Sequence, residues 1–240
     1  IGGGGGDTLY GHGGDDAYLV TDERDSVHEF AGGGHDTVYT LGSHALVGGS
    51  HVEVLTVYDR TTTNALRLSG NELANVIQGN SGVNFLIGGG GGDTLYGHGG
   101  DDAYLVTDER DSVHEFAGGG HDTVYTLGSH ALVGGSHVEV LTVYDRTTTN
   151  ALRLSGNELA NAIQGNSGVN VINGGGGSDN LTGGAGADTF EFSAALSASN
   201  IDTIFDFDPS HDLIRLGGTA VGPFALLASG SLGAGAFATG

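Results

Sequence analysis

The sequence predicts an all-β chain, a solenoid of short parallel strands stacked coil on coil, and three observations carry that prediction. The chain repeats itself at a shift of 86, residues 1–86 matching 87–172 except at Val76/Ala162, Phe85/Val171 and Leu86/Ile172. Inside each unit runs a finer rhythm of acids or asparagines standing two residues before a large apolar residue. It passes through Asp93, Asp102, Asp111, Asp122, Glu139, Asn150, Asn161, Asn170, Asp179 and Asp188, mostly nine or eleven apart. Third, 48 of the 240 residues are Gly, and the short segments between them are rich in Thr, Val and Tyr, a composition that disfavours helix and suits strands.

Taken in order, each element is a glycine turn followed by a short strand. "GGGGGDTLY" (2–10) and "GHGGDDAYL" (11–19) open the first unit, and both return in the second. A nine-residue rhythm fits no helix face, whereas two such units make one coil of eighteen. Stacked coils give two parallel sheets about 10 Å apart, with neighbouring strands about 4.8 Å apart. Over 43–68 and 129–154 the glycine pattern weakens, and "HVEVLTVYD" alternates apolar and polar residues as a half-buried strand does. A third copy of the pattern starts at 173 and departs after Glu191. The expected boundaries are therefore 1–86, 87–172 and 173–191, with 192–240 as a C-terminal segment. The chain starts without Met and in mid-pattern, and is read as a piece of something longer.

Composition removes several classes of function. With 29 acids against seven basic residues, all Arg, the formal net charge is −22, which repels nucleic acid and anionic membranes and attracts cations. Cys is absent, and with it go disulfides and thiolate metal sites. The lack of Lys excludes Walker-type phosphate loops. No stretch of eighteen large apolar residues offers a membrane span. Nothing matches H-E-x-x-H or G-x-S-x-G, so no enzyme is expected within these residues. The histidines, in the second unit His98, His114, His121, His130 and His137, lack the fixed spacing of a zinc site and read as solvated turn positions.

The two nonapeptides above, with "GGGGSDNLT" (174–182) and "GGAGADTFE" (183–191), resemble the G-G-x-G-x-D-x-U-x repeat of the RTX (repeats-in-toxin, haemolysin-type) family. That resemblance implies a calcium-binding parallel β-roll or β-solenoid in a protein exported by a type I secretion system. It also implies that residues 192–240 cap the solenoid and resemble a secretion region.

Calcium takes six to eight oxygens at about 2.3–2.6 Å, carboxylates and backbone carbonyls among them. Glycine at the first four turn positions lets the backbone enter left-handed regions and bring its carbonyls close. Ions are expected between turns eighteen residues apart, where successive coils both reach. The pairs are Asp7 with Asp25, Asp93 with Asp111, Asp16 with Asp36, and Asp102 with Asp122. Asp179 and Asp188 face Asn161 and Asn170, which gives a single charge and weaker sites. The resemblance implies backbone ligation from Gly3, Gly5, Gly14, Gly89, Gly91, Gly100, Gly175, Gly177, Gly184 and Gly186. Asp202, Asp206, Asp208 and Asp212 form either one further ion site or a polar loop. Asn75, Asn84, Asn161 and Asn170 stand at the aspartate position in neutral form, where hydrogen bonding within stacked turns is their expected role.

Three functions follow as alternatives. The first is a secreted structural module that folds on binding several calcium ions. The second is a repeat of a calcium-dependent adhesin, S-layer or filament, self-associating end to end through open coils. In the third, the chain is the tail of a secreted hydrolase or epimerase whose catalytic part lies elsewhere.

Overall fold

The computed structural model describes residues 1–194, 197 and 199–217. Among these there is no helix, and parallel strands wind into a β-solenoid of about ten turns. The expected all-β parallel solenoid is the fold of the chain. Residues 218–240, part of the expected C-terminal segment, lie outside the described residues.

The first unit holds nine strands: β1 (Thr8–Tyr10), β2 (Ala17–Val20), β3 (Ser26–His28), β4 (Thr37–Thr40), β5 (His44–Ala45), β6 (Val54–Val57), β7 (Leu66–Ser69), β8 (Val76–Gln78) and β9 (Asn84–Ile87). The second repeats them as β10 (Thr94–Tyr96), β11 (Ala103–Val106), β12 (Ser112–His114), β13 (Thr123–Thr126), β14 (His130–Ala131), β15 (Val140–Val143), β16 (Leu152–Ser155), β17 (Ala162–Gln164) and β18 (Asn170–Asn173). Four more follow, β19 (Asn180–Thr182), β20 (Thr189–Phe192), β21 (Thr203–Ile204) and β22 (Leu213–Leu216).

Successive strands alternate between two sides. Odd strands form the ladders β1–β3 and β5 to β21, and even strands form β2 to β12 and β14 to β22. Nine strands per unit is an odd number, so a unit is four and a half coils long. Equivalent strands of the two units consequently lie on opposite sides, β1 among the odd strands and its copy β10 among the even ones. The units join without a break, because β8 pairs with β10 and β9 with β11 across the boundary.

The core is built on two columns of apolar side chains, to which several strands add a second buried residue, such as Val20, Val57, Val106 and Val143. Leu55, Ile77, Leu95 and Val113 stack on one side, and Leu86, Tyr104, Val124, Leu141, Ile163 and Leu181 on the other, all essentially inaccessible to water. Burying each side chain of this size contributes about 1.5–3 kcal/mol.

Two expectations need correction. The rhythm assigns Leu152 to the core column, two residues after Asn150. Leu152 is buried in the core, yet it stands opposite Asn170, and the position opposite Ile172 in the column is taken by Leu154. The turn before β16 is two residues longer than the rhythm allows, and a shift of two keeps the side-chain face while moving the register. The second correction concerns His130, which is not a solvated turn residue. It lies buried in β14, as His44 does in β5, and neither ring nitrogen of either has a hydrogen-bond partner. Desolvation pushes both imidazoles below their ordinary pKa, so both are neutral core residues near pH 7.

Candidate metal centre

The turn carboxylates form columns along the two edges of the solenoid. Before the even strands, the Asp16 N–H donates to Asp36 Oδ1 (2.8 Å), Asp36 to Glu53 Oε2 (2.7 Å), Asn75 to Asp93 Oδ1 (2.8 Å) and Asp93 to Asp111 Oδ1 (2.9 Å). Before the odd strands, the Asn84 N–H donates to Asp102 (2.6 Å), Asp102 to Asp122 (2.8 Å), Asp122 to Glu139 (2.7 Å), Asn161 to Asp179 (2.8 Å) and Asp179 to Asp202 (3.0 Å). Asp7 donates to Asp25 (2.9 Å) and Asn170 to Asp188 (2.7 Å) in the same manner. Every pair expected from the spacing is thus brought together, each rung passing its N–H to the carboxylate one coil on.

The second oxygen of these carboxylates is the unusual one. Oδ2 of Asp36, Asp93, Asp102, Asp122 and Asp179 is buried and has no hydrogen-bond donor. Burying a carboxylate oxygen without a partner disfavours the charged form. Desolvation accordingly raises Asp93, Asp102 and Asp179 to about 7 and Asp122 to about 6, and it raises Asp36 and Asp188 as well. No arginine ion pair among the described residues relieves them, since those pairs go to Asp22, Asp108 and Glu191. Asp25 and Asp111 differ, because Oδ2 of each accepts backbone N–H groups of its own turn, from Thr21 and Asp22 and from Thr107 and Asp108.

The glycines divide by position, which the sequence reading did not separate. Positive φ falls at the second and fourth turn positions, at Gly89 (98°), Gly91 (102°), Gly175 (95°), Gly177 (98°), Gly184 (101°) and Gly186 (117°), and at the fourth position in Gly5, Gly14 and Gly100. Gly3 does not have positive φ, and its N–H donates to Asp7 Oδ2 (2.6 Å). The first glycine is required for another reason, because a Cβ on Gly88 would lie 2.5 Å from Asp93 Oδ2.

Asparagine rungs show what this position demands. Asn75 Oδ1 accepts the Asn71 N–H (3.0 Å) while Nδ2 donates to the Val52 carbonyl (2.7 Å), and Asn161 repeats the arrangement with Asn157 and Val138. Nδ2 of Asn170 reaches Gly168 O (2.8 Å), Gly183 O (3.2 Å) and Asp188 Oδ1 (2.9 Å). An amide nitrogen there meets a ring of oxygens. Where aspartate stands instead, the oxygens remain and the donor is gone. Such an oxygen-only lining with orphaned carboxylate oxygens fits a hard cation such as calcium.

The four C-terminal aspartates do not gather at one point. Asp202 joins the odd edge below Asp179, whereas Asp206 accepts from Gly183 (2.9 Å) and Gly184 (2.8 Å) and Asp212 from Asp188 (2.9 Å) on the even edge. Asp208 is exposed and is held low by Ser210 and His211.

Glu29 and Glu115 were missed by the sequence reading. Both are buried at the turns leading to Asp36 and Asp122, and Oε2 of each has no partner. Oε1 of each accepts the hydroxyl of a core tyrosine, Tyr18 and Tyr104 respectively. A signal was available in the eleven-residue step, whose turn has two extra residues and begins with Glu where the nonapeptide begins with Gly.

No curated protein matches the chain. The RTX calcium-binding nonapeptide repeat matches it in four copies, over residues 1–25, 69–104 and 155–190, which include the glycine turns of Asp7, Asp16, Asp93, Asp102, Asp179 and Asp188. Over these residues the chain carries RTX calcium-binding nonapeptide repeats, set in a β-solenoid.

Proposed function

We propose that this chain is an extracellular structural module, exported by type I secretion machinery and folded outside the cell as its edges take up calcium. The observation that carries the reading is the row of buried carboxylate oxygens without donors, with no arginine ion pair to any of them among the described residues. Asp93, Asp102, Asp122 and Asp179 hold the ions through Oδ2, with the backbone carbonyls of the glycine turns around them. Asp7, Asp16, Asp25, Asp36, Asp111 and Asp188 complete the two edges. Bound calcium supplies the positive charge that lets stacked carboxylates coexist, and metal binding of this kind is folding free energy. Millimolar extracellular calcium matches the affinity of about 10⁻⁴–10⁻³ M common to extracellular modules. Circular dichroism at neutral pH tests the reading. The β signal is expected to be weak in EGTA and to rise cooperatively with calcium, and a spectrum indifferent to calcium would defeat it.

A second reading, a repeat of a longer adhesin or filament, draws on the seamless pairing across the unit boundary. Further copies could continue the same two edges. Light scattering of this chain with and without calcium separates the two, because a lone module stays monomeric.

A further inference from the structure

The enlarged turn after β12 places a third carboxylate beside two edge aspartates. Glu115 occupies the place of the first turn glycine one coil on from Gly97, whose N–H donates to Glu115 Oε1 (3.1 Å). One carboxylate oxygen from each of Asp102, Glu115 and Asp122 lies within 4.8 Å of the others. All three residues are at most 2% exposed. Each has one oxygen with no hydrogen-bond partner, Oδ2 of Asp102, Oε2 of Glu115 and Oδ2 of Asp122. The first unit repeats the arrangement with Asp16, Glu29 and Asp36, again with orphaned oxygens on Glu29 and Asp36.

The glutamate is held in place from several sides. Its backbone N–H donates to Ser136 Oγ (2.9 Å), and that hydroxyl donates onward to the Val113 carbonyl (2.9 Å). The Tyr104 hydroxyl fixes Oε1, and Oε2 is left buried without a partner. A Cβ on Gly97 would collide with Asp102 Oδ2, the Tyr104 hydroxyl and Glu115 Oε1, so that glycine keeps the space open. Glu29, Asp36, Glu115 and Asp122 all lie outside the segments matched by the nonapeptide repeat.

We propose that Asp102, Glu115 and Asp122, and in the first unit Asp16, Glu29 and Asp36, form a second class of cation site, one per unit. Each takes a hard divalent ion of calcium's kind. Three carboxylates with no thiolate or imidazole in the group select an oxygen-preferring ion over zinc or copper. The inference rests on the calcium-module reading and extends it from the glycine turns to the spacer.

The test counts ions on the full chain by equilibrium dialysis against calcium, comparing E29Q/E115Q with the unsubstituted protein. Glutamine keeps the size and one acceptor oxygen, and two fewer ions per chain are expected while the remaining sites still fill. Equal counts overturn the inference and leave the module reading standing, whereas an unsubstituted chain that binds no calcium overturns both. A second measurement does not depend on that variant folding. With Trp absent, terbium emission excited through tyrosine reports tyrosines beside an ion. Y18F/Y104F is expected to lose a large part of the emission at an unchanged ion count, and undiminished emission overturns the proposal.

Discussion

At the scale of single residues, glycine serves different ends at different turn positions. Gly89 sits at φ 98°, and a Cβ there would also collide with the Asn71 carbonyl of the preceding coil. Gly88 has ordinary φ but leaves room for Asp93 Oδ2. Gly4, in the first coil, has neither constraint, since its φ is not positive and a Cβ would meet nothing within 4 Å. A left-handed φ alone costs an L-residue about 1–2 kcal/mol, and a backbone clash adds to it. Gly89→Ala is therefore expected to destabilise the calcium-loaded chain by about 2 kcal/mol or more, and Gly4→Ala by less than about 0.5 kcal/mol. Urea midpoints in saturating calcium measure both, and equal midpoints for the two variants contradict the assignment. His98 is the one described non-glycine residue with positive φ, at 79°, and its ring stacks between Tyr96 and Phe116 at centroid distances of 6.3 Å.

At the scale of elements, what was legible in the sequence was whatever recurs at short range. The nine-residue rhythm gives the turn, the strand and the inward residue in one pattern, so Asp93 and Leu95 could be placed without coordinates. It fails where a turn changes length, because register is then decided by which side chains meet one coil away. Leu152 and Leu154 are both buried, and only the pairing of β16 with β18 puts Leu154 opposite Ile172. His130 was misread for the same reason, since the short strand β14 is recognisable only by its partner β16. Glu115 was hidden because its chemistry depends on Tyr104 and Asp122, brought near by the coil and not by sequence proximity. The choice of Leu154 can be measured. Leu154→Ala removes a fully buried side chain and is expected to cost about 2–5 kcal/mol. Arg153→Ala, one residue earlier and outward-facing with its guanidinium on Glu191 (2.9 Å), is expected to cost at most about 1 kcal/mol. Guanidinium unfolding in calcium compares the two, and a Leu154 variant no weaker than the Arg153 variant contradicts the register.

For the whole molecule, the balance is set by columns of carboxylates that are buried before any cation is counted. In the metal-free fold desolvation raises Asp93, Asp102 and Asp179 to about 7, Asp122 to about 6 and Glu115 to about 8, against about 4 for such groups in an unfolded chain. A raised acid binds its proton more tightly folded than unfolded, so protonation favours the fold. That contribution is fully present below about pH 4, where both states are protonated, and it is lost progressively as pH climbs from there to about 8, where the folded carboxyls have also ionised. Mutual repulsion within a chain of formal charge −22 acts in the same direction. In chelator, the β signal is thus expected to be strongest near pH 5 and to fall toward pH 8, and calcium at pH 8 is expected to restore it. Calcium and protons compete for the same oxygens, so the calcium midpoint should move to lower concentration as pH rises from 6 to 8, with protons released on binding. A pH series of circular dichroism in EGTA, repeated with calcium, reads both effects. A metal-free β signal that is flat from pH 5 to 8 would mean that the edges are not under electrostatic load, and calcium would then be incidental to the stability of this solenoid.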